Sequence, residues 1–286
     1  MPIFAAAFRG EAGDGTCVAQ SIIANVWAVF HFFIDFIEMA FGRRFLIPLA
    51  FLLLSLVQGA AAEPLTLRVG VLEDAPPLGF RDAKGRLTGF SISVMQAVCL
   101  EMQVKCEYVV THLENLVDEL AGGQFDVAAV GLLGTPERRQ RILFTRPIYR
   151  SLTLLFARQG VVPGRPGSRL STFRGSAQER YIKAQGWDYV GAASVDEMIA
   201  QLKAGVTHGC MVPLMTSLHL QRMPKFLQLD LQMSVVRTEE LENNAAFGLA
   251  PQHAELKPAI DKAIERIKQN GVYDRINSQF LPFRVD

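Results

Sequence analysis

Residues 116–149 read LVDELAGGQFDVAAVGLLGTPERRQRILFTRPIY and contain three elements in sequence. Leucine and valine recur at helical spacing between Leu113 and Leu120, and a glycine pair ends that pattern. The apolar run from Phe125 to Val130 is typical of a buried strand. Thr135 is a candidate cap for a second helix, with Pro136 at its first position. Strands and helices also alternate on either side of this stretch, which predicts an α/β fold with a mainly parallel sheet.

The start of the helix at Thr135 is a candidate anion site. Free backbone N–H groups and the positive end of a helix attract negative charge. Arg138 lies in the first turn and can bind a carboxylate with two parallel hydrogen bonds. The alternative is a capped surface helix with solvated arginines, and on spacing alone that is the simpler interpretation.

The composition excludes several classes of protein. The chain has 286 residues, of which 50% are hydrophobic and 20% charged, as in a globular protein long enough for two small domains or one large one. The formal net charge of +1 provides no basic field for nucleic acid.

Histidine, cysteine and carboxylate residues show no metal-ligand spacing, so we predict neither a metal nor a cofactor.

The N-terminal region has the pattern of an export signal. Residues 45–62 carry no charge, follow Arg43 and Arg44, and end in three alanines. A basic start, a short apolar core and an A-x-A ending predict a secretory signal peptide cleaved after Ala62. A membrane anchor is the alternative, although this apolar run is short for a span of about 20 residues.

Met39 is a natural first residue for that signal. We therefore interpret residues 1–38 as a doubtful extension and residues 39–62 as the signal peptide. If the extension is translated, its own apolar run and the signal could form a membrane hairpin. The mature chain is expected to begin at residue 63.

Four stretches carry a resemblance to a known family. They are LRVGVLEDAPPLGF, DAKGRLTGF, residues 116–149 and KAIERIKQNGVYDRINSQFL, and they follow one another along the mature chain. The T-x-x-R motif from Thr135 to Arg138, preceded by D-V-x-x-x-G, is specific to that family. The chain thus resembles the family 3 extracellular solute-binding proteins, the receptors of polar amino-acid ABC transporters.

The resemblance implies a two-lobed periplasmic-binding-protein fold of type II, an α/β architecture with two crossover strands between the lobes. On this basis residues 63–155 form the first part of lobe 1 and residues 156–240 form lobe 2. Residues 241–286 then return to lobe 1 and supply the C-terminal helices.

The resemblance also implies a ligand site in the cleft. Arg138 would bind the ligand carboxylate, with the carbonyl of Gly131 and the backbone N–H of Leu133 beside it, and Thr135 would cap the helix behind them. In lobe 2 the pair Gly175-Ser176 matches a family position that faces the same carboxylate. By itself, that pair is an ordinary turn and helix cap.

Three cysteines lie in the mature chain: Cys99, Cys106 and Cys210. An oxidising compartment permits a disulfide, although buried free thiols are an equally simple interpretation. The histidine-binding and lysine/arginine/ornithine-binding proteins have a disulfide where Cys99 and Cys106 lie. That resemblance implies a Cys99–Cys106 disulfide and a free Cys210.

The chain departs from the family at the expected amine-binding position. An aspartate that usually binds the α-amino group of the ligand is replaced at Pro213, with no acid nearby. The resemblance therefore implies a monomeric periplasmic receptor for a small anionic or zwitterionic ligand, either an amino acid or an organic acid. Such a receptor closes about a hinge and presents its ligand to the membrane permease of an ABC transporter.

Two other functions remain open on sequence alone. The missing acid at Pro213 is compatible with an accessory or sensory periplasmic protein whose ligand site has decayed. The same fold also hosts a cyclohexadienyl dehydratase, for which Glu179 is the candidate proton-transfer group. We expect a binding protein and not an enzyme.

Overall fold

The computed structural model of the protein describes residues 65–285. The predicted leader lies outside these residues, including the doubtful extension 1–38, the signal peptide 39–62 and the cleavage after Ala62. Within residues 65–285, no helix combines the length and the apolar composition needed to cross a membrane.

Strands and helices alternate along the described chain. The strands are β1 Thr66–Val71, β2 Asp74–Ala75, β3 Gly79–Arg81, β4 Leu87–Thr88, β5 Lys105–Val110, β6 Val127–Leu133, β7 Leu143–Ser151, β8 Thr153–Ala157, β9 Leu170–Phe173, β10 Tyr189–Ala192, β11 Gly209–Pro213, β12 Gln232–Val236 and β13 Asn243–Leu249. The α-helices are α1 Phe90–Met102, α2 Leu116–Ala121, α3 Pro136–Arg139, α4 Ala177–Ala184, α5 Val195–Lys203, α6 Leu214–Leu220, α7 Pro224–Leu227, α8 Lys257–Gln269 and α9 Val272–Phe280. A 3₁₀ helix, Pro251–Leu256, precedes α8.

Two five-stranded sheets organise these elements. The first has the order β5-β1-β6-β13-β7 and belongs to lobe 1, and the second has the order β10-β9-β11-β8-β12 and belongs to lobe 2. The prediction of mainly parallel sheets was only half right. Each sheet has two parallel pairings and two antiparallel ones. Every antiparallel pairing in these two sheets includes β8 or β13, the strands that the chain enters immediately after each passage between the sheets.

The chain passes between the two sheets twice. It crosses first at Leu152, between β7 and β8, and returns between Val236 and Asn243. The predicted boundary between residues 155 and 156 falls inside β8, all of which pairs in the second sheet. The domain boundaries themselves stay a prediction.

The core of lobe 1 lies between its sheet and helices α1, α8 and α9. Phe90 opens α1 and makes edge-to-face contacts with Tyr149 and Tyr273, at 6.0 and 5.8 Å between ring centres. The Tyr273 hydroxyl is buried and donates to the carbonyl oxygen of Ile148 at 2.6 Å. Since α9 is bonded in this way to β7, the C-terminal helices fix the position of the strand that leads into lobe 2.

A disulfide joins the end of α1 to β5. Cys99 and Cys106 are bonded with their Cα atoms 6.1 Å apart, and Cys210 is a buried free thiol. The structure thus contains the pairing that the family resemblance implied. The bond ties α1 to β5, the strand at one edge of the lobe 1 sheet.

Removing this disulfide is expected to lower stability. A closed loop of this length constrains the unfolded chain by about 2–3 kcal/mol, which corresponds to roughly 4–12 °C in the melting temperature of a chain of this size. The paired substitution Cys99→Ala and Cys106→Ala, followed by thermal unfolding with and without dithiothreitol, measures this loss. The double variant is its own control, because reductant should lower the melting temperature of the native chain and leave that of the variant unchanged. Equal melting temperatures for the native and variant chains would contradict the prediction.

Candidate functional site

A cavity of about 110 Å³ lies between the two lobes. It is bordered by the carboxyl ends of strands from both sheets, which is where open α/β sheets bind ligands. The surface is largely apolar. Its apolar side chains include Leu72, Leu78, Val130, Phe173, Val195 and Pro213.

Arg138 reaches this cavity from lobe 1 and is almost fully buried, with 3% of its surface exposed. One terminal nitrogen, Nη1, donates to the carbonyl oxygen of Leu133 at 3.1 Å. The other, Nη2, donates across the cleft to the carbonyl oxygen of Gly175 at 2.8 Å. The Nε atom is buried without a hydrogen-bond partner. The guanidinium therefore retains donor capacity for a ligand.

The charge on Arg138 has no counter-ion among residues 65–285. None of the ion pairs in that part of the chain includes it, and both of its acceptors are neutral carbonyl groups. Burial lowers the pKa of Arg138 to about 10, so the side chain stays protonated at neutral pH. An isolated buried cation destabilises the folded state, and an anion bound beside it would offset that cost.

The helix that carries Arg138 begins where the sequence predicts but is short. Thr135 is its N-cap, with its hydroxyl accepting from the Arg138 N–H at 3.4 Å, and Pro136 follows. The helix has only four residues, so few peptide dipoles add at its start. The sequence argument from the helix terminus is corrected accordingly, since the positive charge at this place comes from the guanidinium.

The facing wall of lobe 2 begins with Gly175 and Ser176. The Ser176 hydroxyl caps α4 by accepting from the Glu179 N–H at 3.0 Å. The Glu179 carboxylate in turn accepts from the Gly175 N–H at 2.8 Å. These two hydrogen bonds hold the loop that presents the Gly175 carbonyl to Arg138.

Two ion pairs also join the lobes across the cleft. Arg174 in lobe 2 contacts Glu114 in lobe 1, with Nε and Oε2 3.0 Å apart. Arg180 in lobe 2 pairs with Glu137 in lobe 1. Exposed pairs of this kind contribute about 0–1 kcal/mol each, so they orient the lobes more than they stabilise them.

These features agree with the comparison of the sequence with known families. The family model of the bacterial extracellular solute-binding proteins, family 3, matches residues 67–283. The chain belongs to this family. The predicted membership and the two-lobed α/β architecture are therefore confirmed.

Relatives and solved structures agree with this assignment. The solute-binding protein is 28% identical to the lysine/arginine/ornithine-binding periplasmic protein of Escherichia coli, over 79% of this chain and 91% of that protein. It is 26% identical to the ABC transporter arginine-binding protein 1 of Escherichia coli, over 82% of this chain and 98% of the relative. A Salmonella typhimurium periplasmic binding protein with high arginine specificity superposes with a TM-score of 0.66 at 22% identity, covering 76% of this chain and 99% of its own. That likeness shows the fold alone.

The structure brings most of the predicted site residues of this solute-binding protein to one cavity. Gly131, Leu133, Arg138 and Ser176 line it. Thr135 and Gly175 are not among the lining residues, but they hold Arg138 through the helix cap and through the carbonyl contact. The role of all six in binding a ligand stays a prediction.

Pro213 occupies the position that the sequence singled out. It ends β11, is the N-cap of α6 and lines the cavity from lobe 2. The described part of the lobe 2 wall contains no carboxylate: its other members are Phe173, Arg174, Ser176, Ala177, Gln178, Ala193, Val195 and Thr216. The missing acid of this solute-binding protein is therefore not replaced from another element of lobe 2.

Sequence analysis missed other groups at the cavity. Asp74 lines it from β2; the residue is exposed as a whole, but its carboxyl group is partly desolvated by the surrounding protein, which is the largest cause of its raised pKa. His112 lies nearby and partly counters that shift. Phe173 supplies an aromatic side chain, which the sequence argument passed over although it stands two residues before Gly175 at the end of β9.

Proposed function

We propose that this solute-binding protein captures a small carboxylate-bearing ligand between its lobes and delivers it to the membrane permease of an ABC transporter. The lobes would open about the two crossings at Leu152 and between residues 236 and 243, and close on the ligand. Closure of two domains about a hinge is a recurrent mode of binding. The ligand is small and either anionic or zwitterionic, and the receptor is a monomer in the periplasm.

The buried guanidinium of Arg138 is the observation that carries this proposal. It is desolvated, donates to both lobes, and lacks an anionic partner within residues 65–285. Arginine presents a planar set of donors that matches a carboxylate. A ligand carboxylate would supply the missing charge and bridge the lobes at the same time.

The relatives support a transport role and a periplasmic location. They are named as amino-acid-binding proteins, and several names include the word periplasmic. A predicted signal peptide cleaved after Ala62 accords with export, although it lies outside the described residues.

The geometry of the cavity supports neither alternative function, the dehydratase or the accessory protein with a decayed ligand site. The Glu179 carboxylate, the candidate catalytic group, is bonded to the Gly175 N–H and does not line the cavity. The relatives are named as binding proteins, so we interpret the chain as a binding protein and not an enzyme. A buried arginine without an anion destabilises the folded state, so its presence argues against a site that no longer binds a ligand.

The proposal predicts a rise in melting temperature with at least one small carboxylate. A panel of amino acids, hydroxy acids, oxo acids and simple carboxylic acids is tested by thermal unfolding of the purified protein. Ligand at 100 times its dissociation constant adds about 2.7 kcal/mol, or roughly 5–11 °C for a chain of this size.

The matched control is the primary amide of each ligand, which keeps the shape and removes the charge. The amide is expected to leave the melting temperature unchanged. An equal shift with the amide would contradict the carboxylate site, and a panel without any shift would contradict the proposed function.

A further inference from the structure

We propose that the ligand of this cleft is a monocarboxylate with a neutral α-substituent and an apolar body, and not a zwitterionic α-amino acid. The inference rests on the proposed function and narrows it to one chemical class. This class includes acids whose α-carbon carries hydrogen, a hydroxyl or an oxo group. It also includes acids whose α-nitrogen carries no charge.

The charges on the cavity surface are the first reason. Two guanidinium groups line it, Arg138 and Arg174, together with two carboxylates, Asp74 and Glu114. Arg174 and Glu114 are paired with each other at 3.0 Å. Arg138 is then the buried charge that still lacks a partner within the described chain, and a single negative charge neutralises it.

The position of the remaining acid is the second reason. Asp74 is exposed and also borders a second groove between the lobes, so it lies at the mouth of the cavity. The lobe 2 group that contacts Arg138 is the neutral carbonyl of Gly175, and the described part of the lobe 2 wall contains no carboxylate. An ammonium group held beside the carboxylate would be desolvated there without a counter-charge, which costs several kcal/mol.

The third reason is the character of the wall. Leucine, valine, phenylalanine and proline side chains cover much of the cavity surface, as in sites that bind an apolar body. A ligand with a charged distal group would have to desolvate that group against them. An aliphatic or aromatic acid matches both the wall and the single buried cation.

Matched acids that share a carbon skeleton test this inference by isothermal titration calorimetry on the full chain. L-Leucine is compared with 2-hydroxy-4-methylpentanoate, 4-methyl-2-oxopentanoate and 4-methylpentanoate. L-Phenylalanine is compared in the same way with 3-phenyllactate, phenylpyruvate and 3-phenylpropanoate. At least one neutral member is expected to bind ten-fold or more tightly than its amino acid.

The outcomes separate this inference from the proposed function. An amino acid that binds as tightly as its neutral partners, and loses binding in Arg138→Met, overturns the inference and leaves the function standing. If loss of binding in Asp74→Asn accompanies that result, the amine is held at the cavity mouth. Absence of binding in both series overturns the inference as well, and the proposed function fails with it only if the wider carboxylate panel is also negative.

Pro213→Asp gives a second test in the opposite direction. Aspartate is a preferred N-cap residue, so it suits the start of α6 while placing a carboxylate on the lobe 2 wall. The variant is expected to weaken binding of the neutral acid and strengthen that of its amino acid, reversing their order. Pro213→Asn is the control, because it makes nearly the same change in shape without the charge and should keep the original order. Identical preferences in the two variants would overturn the inference, and thermal unfolding confirms that both are folded.

Discussion

Replacing Arg138 with methionine is expected to weaken carboxylate binding by at least roughly 30-fold, since loss of one partner from a buried charge pair costs about 2–5 kcal/mol. Methionine retains much of the volume of the arginine stem, so the cavity keeps its shape. The substitution removes the group that we propose to hold the carboxylate. Titration calorimetry with any carboxylate identified from the panel measures the effect.

Two opposing effects determine the stability of this variant without ligand. Removal of an unpaired buried cation stabilises the folded state. Loss of the donors to the carbonyls of Leu133 and Gly175 destabilises it, by about 1–3 kcal/mol for each acceptor left unsatisfied. We expect a folded protein whose melting temperature responds little to a ligand that stabilises the native chain.

Arg141→Met is the matched control for this experiment. Arg141 lies three positions further along the chain, is 43% exposed at its side chain and pairs with Asp118 at 2.6 Å on the surface. This variant loses the same positive charge, but outside the cavity. Its affinity for the ligand is expected to stay within about two-fold of native, because a surface ion pair contributes little energy. Equal losses in the two variants would mean that overall charge, and not a contact at Arg138, controls binding.

Substituting Gly175 with alanine is expected to prevent closure of the lobes and reduce ligand affinity ten-fold or more. A Cβ atom at this position would lie 2.6 Å from the Cα of Glu114 and 2.7 Å from the carbonyl oxygen of Leu113. Both atoms belong to the backbone of lobe 1, so neither can rotate away. The added Cβ atom would hold the lobes apart, and Arg138 would lose its contact with the Gly175 carbonyl.

A second glycine of lobe 2 provides the control for backbone strain. Gly175 has φ +75° and Gly186 has φ +66°, so alanine at either position costs about 1–2 kcal/mol. Apart from Gly186 and its two chain neighbours, no heavy atom of residues 65–285 lies within 4 Å of the Cβ that this position would gain. Gly186→Ala should therefore lose similar stability and bind ligand normally. Calorimetry for affinity and small-angle scattering for ligand-induced compaction test the pair. Normal compaction of Gly175→Ala would contradict the proposed closure.

Local features of this protein could be predicted from the sequence because they depend on neighbouring residues. Thr135 and Pro136 start α3 where the pattern places a helix, and Ser176 caps the start of α4, as its sequence position suggested. In each case the capping hydroxyl accepts from an N–H only three residues away. The length of α3 could not be predicted, since its four residues end where the chain turns into β7.

The family motif extended these predictions to Arg138 and Pro213, but it did not show what surrounds them. The contact between Arg138 and Gly175 joins residues 37 positions apart, and no short pattern contains both. Asp74 lies in a stretch that resembles the family and Phe173 precedes Gly175 by two residues, but neither local pattern shows that its side chain reaches the cavity.

Helix starts and buried strands follow from the order of residues along the chain, because caps and apolar periodicity act over a few positions. The cavity, the absence of a counter-ion for Arg138 and the approach of Gly175 to the lobe 1 backbone depend on the tertiary structure. Packing of the two lobes brings distant segments into contact and excludes water from the space between them. That packing turns an arginine indistinguishable in sequence from a surface residue into a desolvated cation.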